Sequence, residues 1–278
     1  MKAKRFFAAI MIVCLVAGLA VSVSAAERKI GHLAALNMTP EQFTKFHNDH
    51  AAQGKIKLFT AGEPYSVTHV FYDSLTSMQM ALNAGEIDEM SLPEAVADYM
   101  MNINDGYEVA SIVRTQPSSL ALGFRKDDDP TLRNKFNEAL LSMKLDGTLA
   151  ILIDKYVAEA GVDEPEHVIF EKYENIDTNI KVAVTGDLPP LDFMAADGHP
   201  AGFNTAVLNE LAKRMKVNIT LVDIDSSARA AAIASKRVDV VFWFEFRKGV
   251  DVQPDIPDGI VLSQPYYHWN EILNLKKK

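Results

Sequence analysis

The sequence predicts an α/β protein of two units, each built on a mostly parallel sheet. Short apolar, β-branched runs alternate with segments of helical periodicity, the pattern of parallel strands joined by crossover helices. The alternation is interrupted once, by the polar stretch 161–179 with Pro165 and two Glu-rich patches, which divides the chain into two blocks. The 278 residues, 48% of them hydrophobic, suit one large or two medium domains and suffice for a substantial core.

Ahead of the first block, Met1-Lys2-Ala3-Lys4-Arg5 leads into an apolar run from Phe6 to Val23 and then Ser24-Ala25-Ala26. A basic start, an apolar middle and small residues at the end predict a secretory signal peptide over 1–26, cleaved after Ala25 or Ala26. The competing reading is a retained membrane anchor; the run is short for a span and ends in residues suited to cleavage. Loss of its three basic residues takes the formal charge from −9 to −12. Cys14, the only cysteine, lies in this run without the pattern of a lipoprotein signal, so the mature chain has no thiol. No second apolar stretch is long enough to cross a bilayer.

In the first block, Arg28–Leu36 reads as a strand. Thr39-Pro40-Glu41-Gln42 then opens a helix, with Thr39 as cap, Pro40 in the first turn and Gln42 completing a capping box. Ile56–Thr60 and Val67–Tyr72 read as strands. Asp73 is expected to cap a helix with Leu75, Met78 and Leu82 on its apolar face, ended by Gly85. Ile87–Leu92 is a strand, and Pro93 opens the helix Glu94–Met101. Two further strands, Tyr107–Val113 and Ser119–Arg125, precede Asp127-Asp128-Asp129-Pro130, which places carboxylates and a proline at the positive end of a helix. Leu132, Phe136, Leu140 and Met143 recur along that helix, and a last one runs from Gly147 to about Ala160.

The second block has a strand Ile180–Thr185, a helix Phe203–Met215, a strand Val217–Val222, a helix Ser226–Ala234 and a buried-type strand Val238–Trp243. It closes with a short strand near Ile260, Ser263-Gln264-Pro265-Tyr266-Tyr267, and a last strand to Leu275. No internal repeat is visible.

Charge and composition narrow the function. The chain carries 28 Lys and Arg against 37 Asp and Glu, which argues against binding to nucleic acid or anionic membranes. Charged residues at 23% and aromatics at 9% exclude disordered classes. There is no P-loop, no Gly-x-Gly-x-x-Gly, no Gly-x-Ser-x-Gly and no His-Glu-x-x-His. His47 and His50 near Asp49 read as the solvated end of a helix rather than as metal ligands. Trp243-Phe244-Glu245-Phe246-Arg247 places aromatics, a carboxylate and a guanidinium beyond the C-terminal end of a parallel strand, where open α/β sheets bind ligands. The same residues read equally well as core aromatics beside a surface ion pair.

The second block resembles the start of the extracellular solute-binding proteins of family 3, the binding components of polar amino-acid ABC transporters. The residues that carry the likeness are Lys181-Val182-Ala183-Val184-Thr185-Gly186-Asp187-Leu188-Pro189-Pro190-Leu191-Asp192-Phe193, Asp197-Gly198, Gly202-Phe203-Asn204, Val238-Asp239-Val240-Val241 and Ser263-Gln264-Pro265-Tyr266-Tyr267. The first block resembles the same family's later half, through Tyr72-Asp73-Ser74, Ala84-Gly85-Glu86-Ile87-Asp88, Ala97-Asp98-Tyr99, Leu122-Gly123-Phe124-Arg125-Lys126-Asp127-Asp128 and Lys144-Leu145-Asp146-Gly147-Thr148-Leu149-Ala150.

The resemblance implies a two-lobe periplasmic binding protein type II fold with the lobes in permuted chain order. Lobe two occupies 27–118, a return strand and C-terminal-type helices packing on lobe one 119–160, a connector 161–179, lobe one 180–262 and a hinge-crossing strand 263–278. The rival is a truncated tandem fusion whose halves pair only between chains. The implied function is capture of a small polar solute, an amino acid or related carboxylate or amine, by hinge closure, and its delivery from the periplasm to an ABC permease. No cofactor or metal, a monomeric state and no stable membrane insertion go with it. Carried over by position, the ligand contacts are Asp187 and Phe193 in the first ligand loop, Trp243, Phe244 and Glu245 on lobe one, and Arg247, which falls earlier than the family arginine. On lobe two, Asn37 and Thr39 replace a Gly-Ser/Thr turn, and Glu94 stands near the amine-binding aspartate. These departures put a standard α-amino acid in doubt. The alternatives are an exported enzyme on the same fold, similar to cyclohexadienyl dehydratase, with Glu245 or Glu94 for proton transfer, and a soluble sensory binding protein.

Overall fold

The computed structural model describes residues 27–278 except 35, 55–56, 61–65, 162–167, 175 and 177. The leader, Cys14 and part of the connector lie outside the described residues.

The first block contains β1 (Glu27–Leu33), α1 (Pro40–Ala52), β2 (Lys57–Thr60), β3 (Ser66–Tyr72), α2 (Leu75–Ala84), β4 (Glu89–Pro93) and α3 (Glu94–Ile103). After it come β5 (Tyr107–Arg125), α4 (Thr131–Leu145), α5 (Thr148–Ile153) and a π-helical turn over Asp154–Ala158. The second block comprises β6 (Asn179–Val184), β7 (Asp187–Leu188), β8 (Asp192–Met194), β9 (Pro200–Ala201), α6 (Phe203–Met215) and β10 (Asn218–Asp223). A 3-10 turn at Ser226–Ala228 then leads to α7 (Arg229–Ala234), β11 (Val240–Arg247), β12 (Ile260–Leu262) and β13 (Tyr267–Lys277).

Each block forms a lobe with the same local plan. In the N-terminal lobe β1 lies between β3 and β4, parallel to both. In the C-terminal lobe β6 lies between β10 and β11, again parallel to both. Two long strands join the lobes. β13 runs antiparallel to β4, β5 runs antiparallel to β11, and the two pair with each other, giving the order β10-β6-β11-β5-β13-β4-β1-β3. β2 and β12 add to β5, and β7, β8 and β9 form a small antiparallel sheet. This is the two-lobe α/β architecture that the sequence implies.

The β5–β13 ladder changes register where it passes between lobes. Trp269 pairs with Ser118 but Glu271 with Arg114, so three residues of β5 face Asn270 alone. Extra residues in one strand make a bulge, which bends the ladder and leaves groups unpaired. Pro117 sits in that bulge, where its missing N–H costs no ladder bond. For this reason 107–125 is one strand rather than the two that the sequence suggests.

Local chemistry sets the helix starts. Gln42 N donates to Thr39 Oγ1 at 3.3 Å and Thr39 N donates to Gln42 Oε1 at 2.8 Å, the expected capping box. In α2 the cap is Ser74 rather than Asp73, because Ser74 stands three residues before Ser77 and exchanges bonds with it; Gly85 ends the helix with φ 74°. The helix expected from Gly147 to Ala160 is α5 continued as a π-helical turn. The sheet of β7, β8 and β9 leaves no mark in the sequence, since strands of two or three residues carry no periodicity.

A hydrophobic core runs through both lobes, with Met78, Val96, Phe136, Leu140, Val207, Leu208 and Phe242 fully buried. α4 packs on α6. A smaller cluster of Ala183, Ile224, Ile233, Val238, Val241 and Phe244 lies under α7.

Candidate functional site

The cleft between the lobes encloses about 110 Å³. The N-terminal lobe supplies His32, Leu33 and Ala34 at the end of β1, Phe43 of α1, and Ser91, Leu92 and Pro93 at the end of β4. The C-terminal lobe supplies Leu188, Leu191, Arg229, Trp243, Glu245, Arg247 and the loop Gln253-Pro254-Asp255. The crossing strands contribute Leu120, Trp269 and Ile272. The cleft therefore lies at the carboxyl ends of β1, β4 and β11, where the connections diverge and open sheets leave room for ligands.

At its base is a buried ion pair. Arg229, 1% exposed, donates from Nη1 to Asp255 Oδ2 at 2.9 Å and from Nη2 to Asp255 Oδ1 at 2.6 Å. Its Nε donates to the Ser226 carbonyl and Nη1 also to the Trp243 carbonyl, both at 2.9 Å. The guanidinium carbon stands 3.6 Å from the centre of the Trp243 ring. Burial pushes the Asp255 carboxyl up, opposed by Arg229 and by the Glu245 N–H that donates to it at 2.8 Å.

Strand periodicity arranges the motif at 243–247. β11 continues through Arg247 rather than stopping at Trp243, so side chains alternate between its faces. Trp243, Glu245 and Arg247 line the cleft. Phe244 does not: it is fully buried on the other face, against Gly123. Trp243 Nε1 donates to Thr185 Oγ1 at 3.2 Å, and that hydroxyl donates to the buried Asp192. Glu245 accepts from Ser118 Oγ at 2.9 Å and from Arg247 Nε at 3.1 Å.

His32 and Phe43 form the opposite wall, with His47, His69 and Phe71 packed behind them. His32 Nε2 and His69 Nδ1 share a hydrogen bond of 2.8 Å, and the His47 ring centre is 5.0 Å from that of His69. Phe43 lies 5.2 Å from His32 and 5.1 Å from Phe71 between ring centres. Burial, then the neighbouring imidazoles and Arg247, hold His32 well below the usual histidine range. The same causes bring His47 down to about 4, and burial lowers His69. Among the described residues no group of three or more His, Cys, Asp or Glu could hold a metal ion. His50 bonds the Phe46 carbonyl, and Asp49 accepts from Lys45.

Of the residues singled out from sequence, the fold brings Trp243, Glu245 and Arg247 together. Asn37 stands at the rim and bridges the lobes: its N–H donates to the Pro254 carbonyl at 2.8 Å and Nδ2 to the Gln253 carbonyl at 3.0 Å. Thr39 is occupied as the cap of α1 and does not line the cleft. Phe193 contacts Tyr99 across the lobes, 5.9 Å between ring centres, away from the cleft lining. Asp187 pairs through its backbone with Phe193. Glu94 lies outside, in a groove with Asp98, Tyr99 and Tyr267. Burial, Glu271 and Asp98 raise its carboxyl above the usual range.

Arg229, Asp255, Trp269 and His32 escaped sequence reasoning. Only Arg229 carried a signal: with Ala232 and Ile233, both buried, it shares the inward face of a short alanine-rich helix. Asp255 sits in a loop with no periodicity to mark it.

Residues 180–275, roughly a third of the chain, match the family model of bacterial extracellular solute-binding proteins, family 3. The likeness read from the residues of the second block is therefore found independently over that block. No curated protein matches the chain. Solved structures of similar fold include the ligand-binding component of an ABC-type import system from Staphylococcus aureus with zinc bound, at 12% identity, TM-score 0.45, covering 91% of this chain and 66% of that one. They also include the periplasmic aliphatic sulphonate binding protein SsuA from Escherichia coli, at 10% identity, TM-score 0.39, with 92% and 62% covered. The methionine binding protein MetQ is another, at 10% identity, TM-score 0.42, with 91% and 83% covered. The chain thus spans less than two thirds of the length of the first two.

Proposed function

We propose that this protein is an exported, non-enzymatic solute-binding protein that closes two lobes over a small molecule and delivers it to an ABC permease. The observation that carries this reading is a cleft walled by both lobes and floored by the two strands that join them. A two-strand crossing interrupted by a bulge is a mechanical weak point, and hinge closure about such crossings is how periplasmic binding proteins engage ligands. The family match over the C-terminal lobe and the secretory-type leader support export to the periplasm. No helix among the described residues is long and apolar enough to cross a membrane.

We read the chain order as that of a circular permutant. Each lobe repeats one strand plan, β1 or β6 central, β3 or β10 at the edge, β4 or β11 inside, then β13 or β5 as the antiparallel crossing strand; this repetition, with a family match on the later lobe, supports that reading. Paired lobes within one chain make the working unit a monomer, with Trp243, Glu245 and Arg247 as ligand contacts and Asn37 at the closing edge.

The test uses mature protein unfolded and refolded to strip ligand retained from the host, screened by thermal shift and by small-angle scattering. A ligand at a hundred times its dissociation constant adds about 2.7 kcal/mol. That raises the melting temperature by roughly 5–10 °C for a chain of this size, and closure lowers the radius of gyration. A panel of small solutes that yields neither change with any member overturns the reading.

A further inference from the structure

We infer that the cleft takes an uncharged, ring-containing solute with one carbonyl-type hydrogen-bond acceptor, and not an amino acid, carboxylate or sulphonate. This deepens the solute-binding reading and rests on it.

Electroneutrality is the first ground. The cleft contains two guanidiniums, and each is paired with a carboxylate of its own lobe. Arg229 is bidentate on Asp255, and Arg247 is bonded to Glu245. A ligand carboxylate could take Arg229 only by displacing Asp255, leaving that carboxylate unpaired where its side chain is 10% exposed. An uncompensated buried charge is among the most costly arrangements a protein can adopt. A ligand ammonium meets the same obstacle, because both lining carboxylates are engaged by arginines. His32 adds no charge, since burial keeps it neutral.

The lining is the second ground. Trp243, Trp269 and Phe43 offer aromatic surface, and Leu33, Leu92, Leu188, Leu191 and Ile272 complete an apolar surround. At about 110 Å³ the space is comparable with the ~150 Å³ apolar cavity that holds one benzene. It admits a single ring, not an extended chain.

The third ground is an unused donor. The two indoles of the cleft differ: Trp243 Nε1 is bonded to Thr185, but Trp269 Nε1 has no acceptor among the described residues. Trp269 is 6% exposed. A buried indole N–H normally finds a partner; Trp269 lines the cleft, and a solute acceptor reaches this N–H once the ring shifts to uncover it.

Calorimetric titration of refolded protein with nicotinamide, benzamide and uracil on one side, and L-methionine, L-glutamate and an alkanesulphonate on the other, tests the inference. Saturable binding of a neutral ring compound, weakened roughly tenfold by Trp269→Phe, is the expected result. Its dissociation constant in the unaltered protein should also stay constant from about 0.01 M to 1 M salt, because no ligand charge is screened. That measurement decides the question if Trp269→Phe does not fold. Saturable binding of L-methionine, L-glutamate or the alkanesulphonate, at any salt concentration, overturns the inference while leaving the solute-binding reading intact. A neutral ligand indifferent to Trp269→Phe overturns the assigned donor. Absence of binding and of compaction throughout both panels overturns the inference together with the reading beneath it.

Discussion

Arg229 is a fully buried cation whose donors reach Asp255 and two carbonyls. Removing one partner of such a pair leaves the other charge stranded, which typically costs 3–5 kcal/mol. Arg229→Met is therefore expected to lower the melting temperature by about 6–20 °C. Arg229→Met with Asp255→Leu should recover much of that loss, since the stranded carboxylate goes too. A double variant no more stable than the single one would show that the pair is not what Arg229 provides. Gly123 has a different constraint: a Cβ there would overlap the Phe244 ring. Gly123→Ala must shift that ring or the β5–β11 ladder and is expected to cost 1–3 kcal/mol, read from denaturant midpoints at unchanged slope. Neither role was visible in sequence. An arginine among alanines and a glycine in a strand acquire meaning only from what packs on them.

At the scale of elements, one side chain fastens the corner between α4 and α5 to α6. Arg214 donates to Asp146 Oδ2 at 2.7 Å, Ser142 Oγ at 2.6 Å, Thr148 Oγ1 at 2.9 Å and, within its own helix, Glu210 at 2.9 Å. Arg214, with Thr148, holds the Asp146 carboxyl down to about 2. Arg214→Ala should speed hydrogen exchange in α4 and α5 while leaving β1, β3 and β4 unchanged; uniform protection loss would argue against a local clamp. The helices themselves were largely legible: α6 spans Phe203–Met215 as its period predicts, and Thr39 with Gln42 announces α1. β5 was not, because Pro117 reads as a break unless a bulge is there to absorb it.

For the whole molecule, the imidazole cluster predicts how stability depends on pH. His32, His47 and His69 have folded-state values below the unfolded one, so the unfolded chain binds protons first as pH falls. Their stabilising contribution is complete above about pH 6.5 and declines towards pH 4, by at most about 1.4 kcal/mol per pH unit for each histidine. Glu94 and Asp98, whose carboxyls are raised, act in the opposite sense nearer the carboxylate range, so the effect is clearest between pH 6.5 and 5.5. Urea melts across that interval should show falling stability, flattened in His32→Gln with His69→Gln. An unchanged slope in that double variant would place the proton uptake elsewhere.

The order of strands and helices, the division into two blocks, the caps of α1 and the motif at 243–247 are local properties, set by periodicity and by residues a few positions apart. These can be read from residue order alone, and with them the α/β class and the likeness found over 180–275. Which residues face the cleft is set by the fold, because that depends on where β11 ends and which of its faces turns inward. The fold also pairs Arg229 with Asp255 and makes β5 one bulged strand that crosses beside β13. These are contacts between distant segments, whose partners are chosen by packing and electrostatics in the closed chain, and no spacing along the chain encodes them.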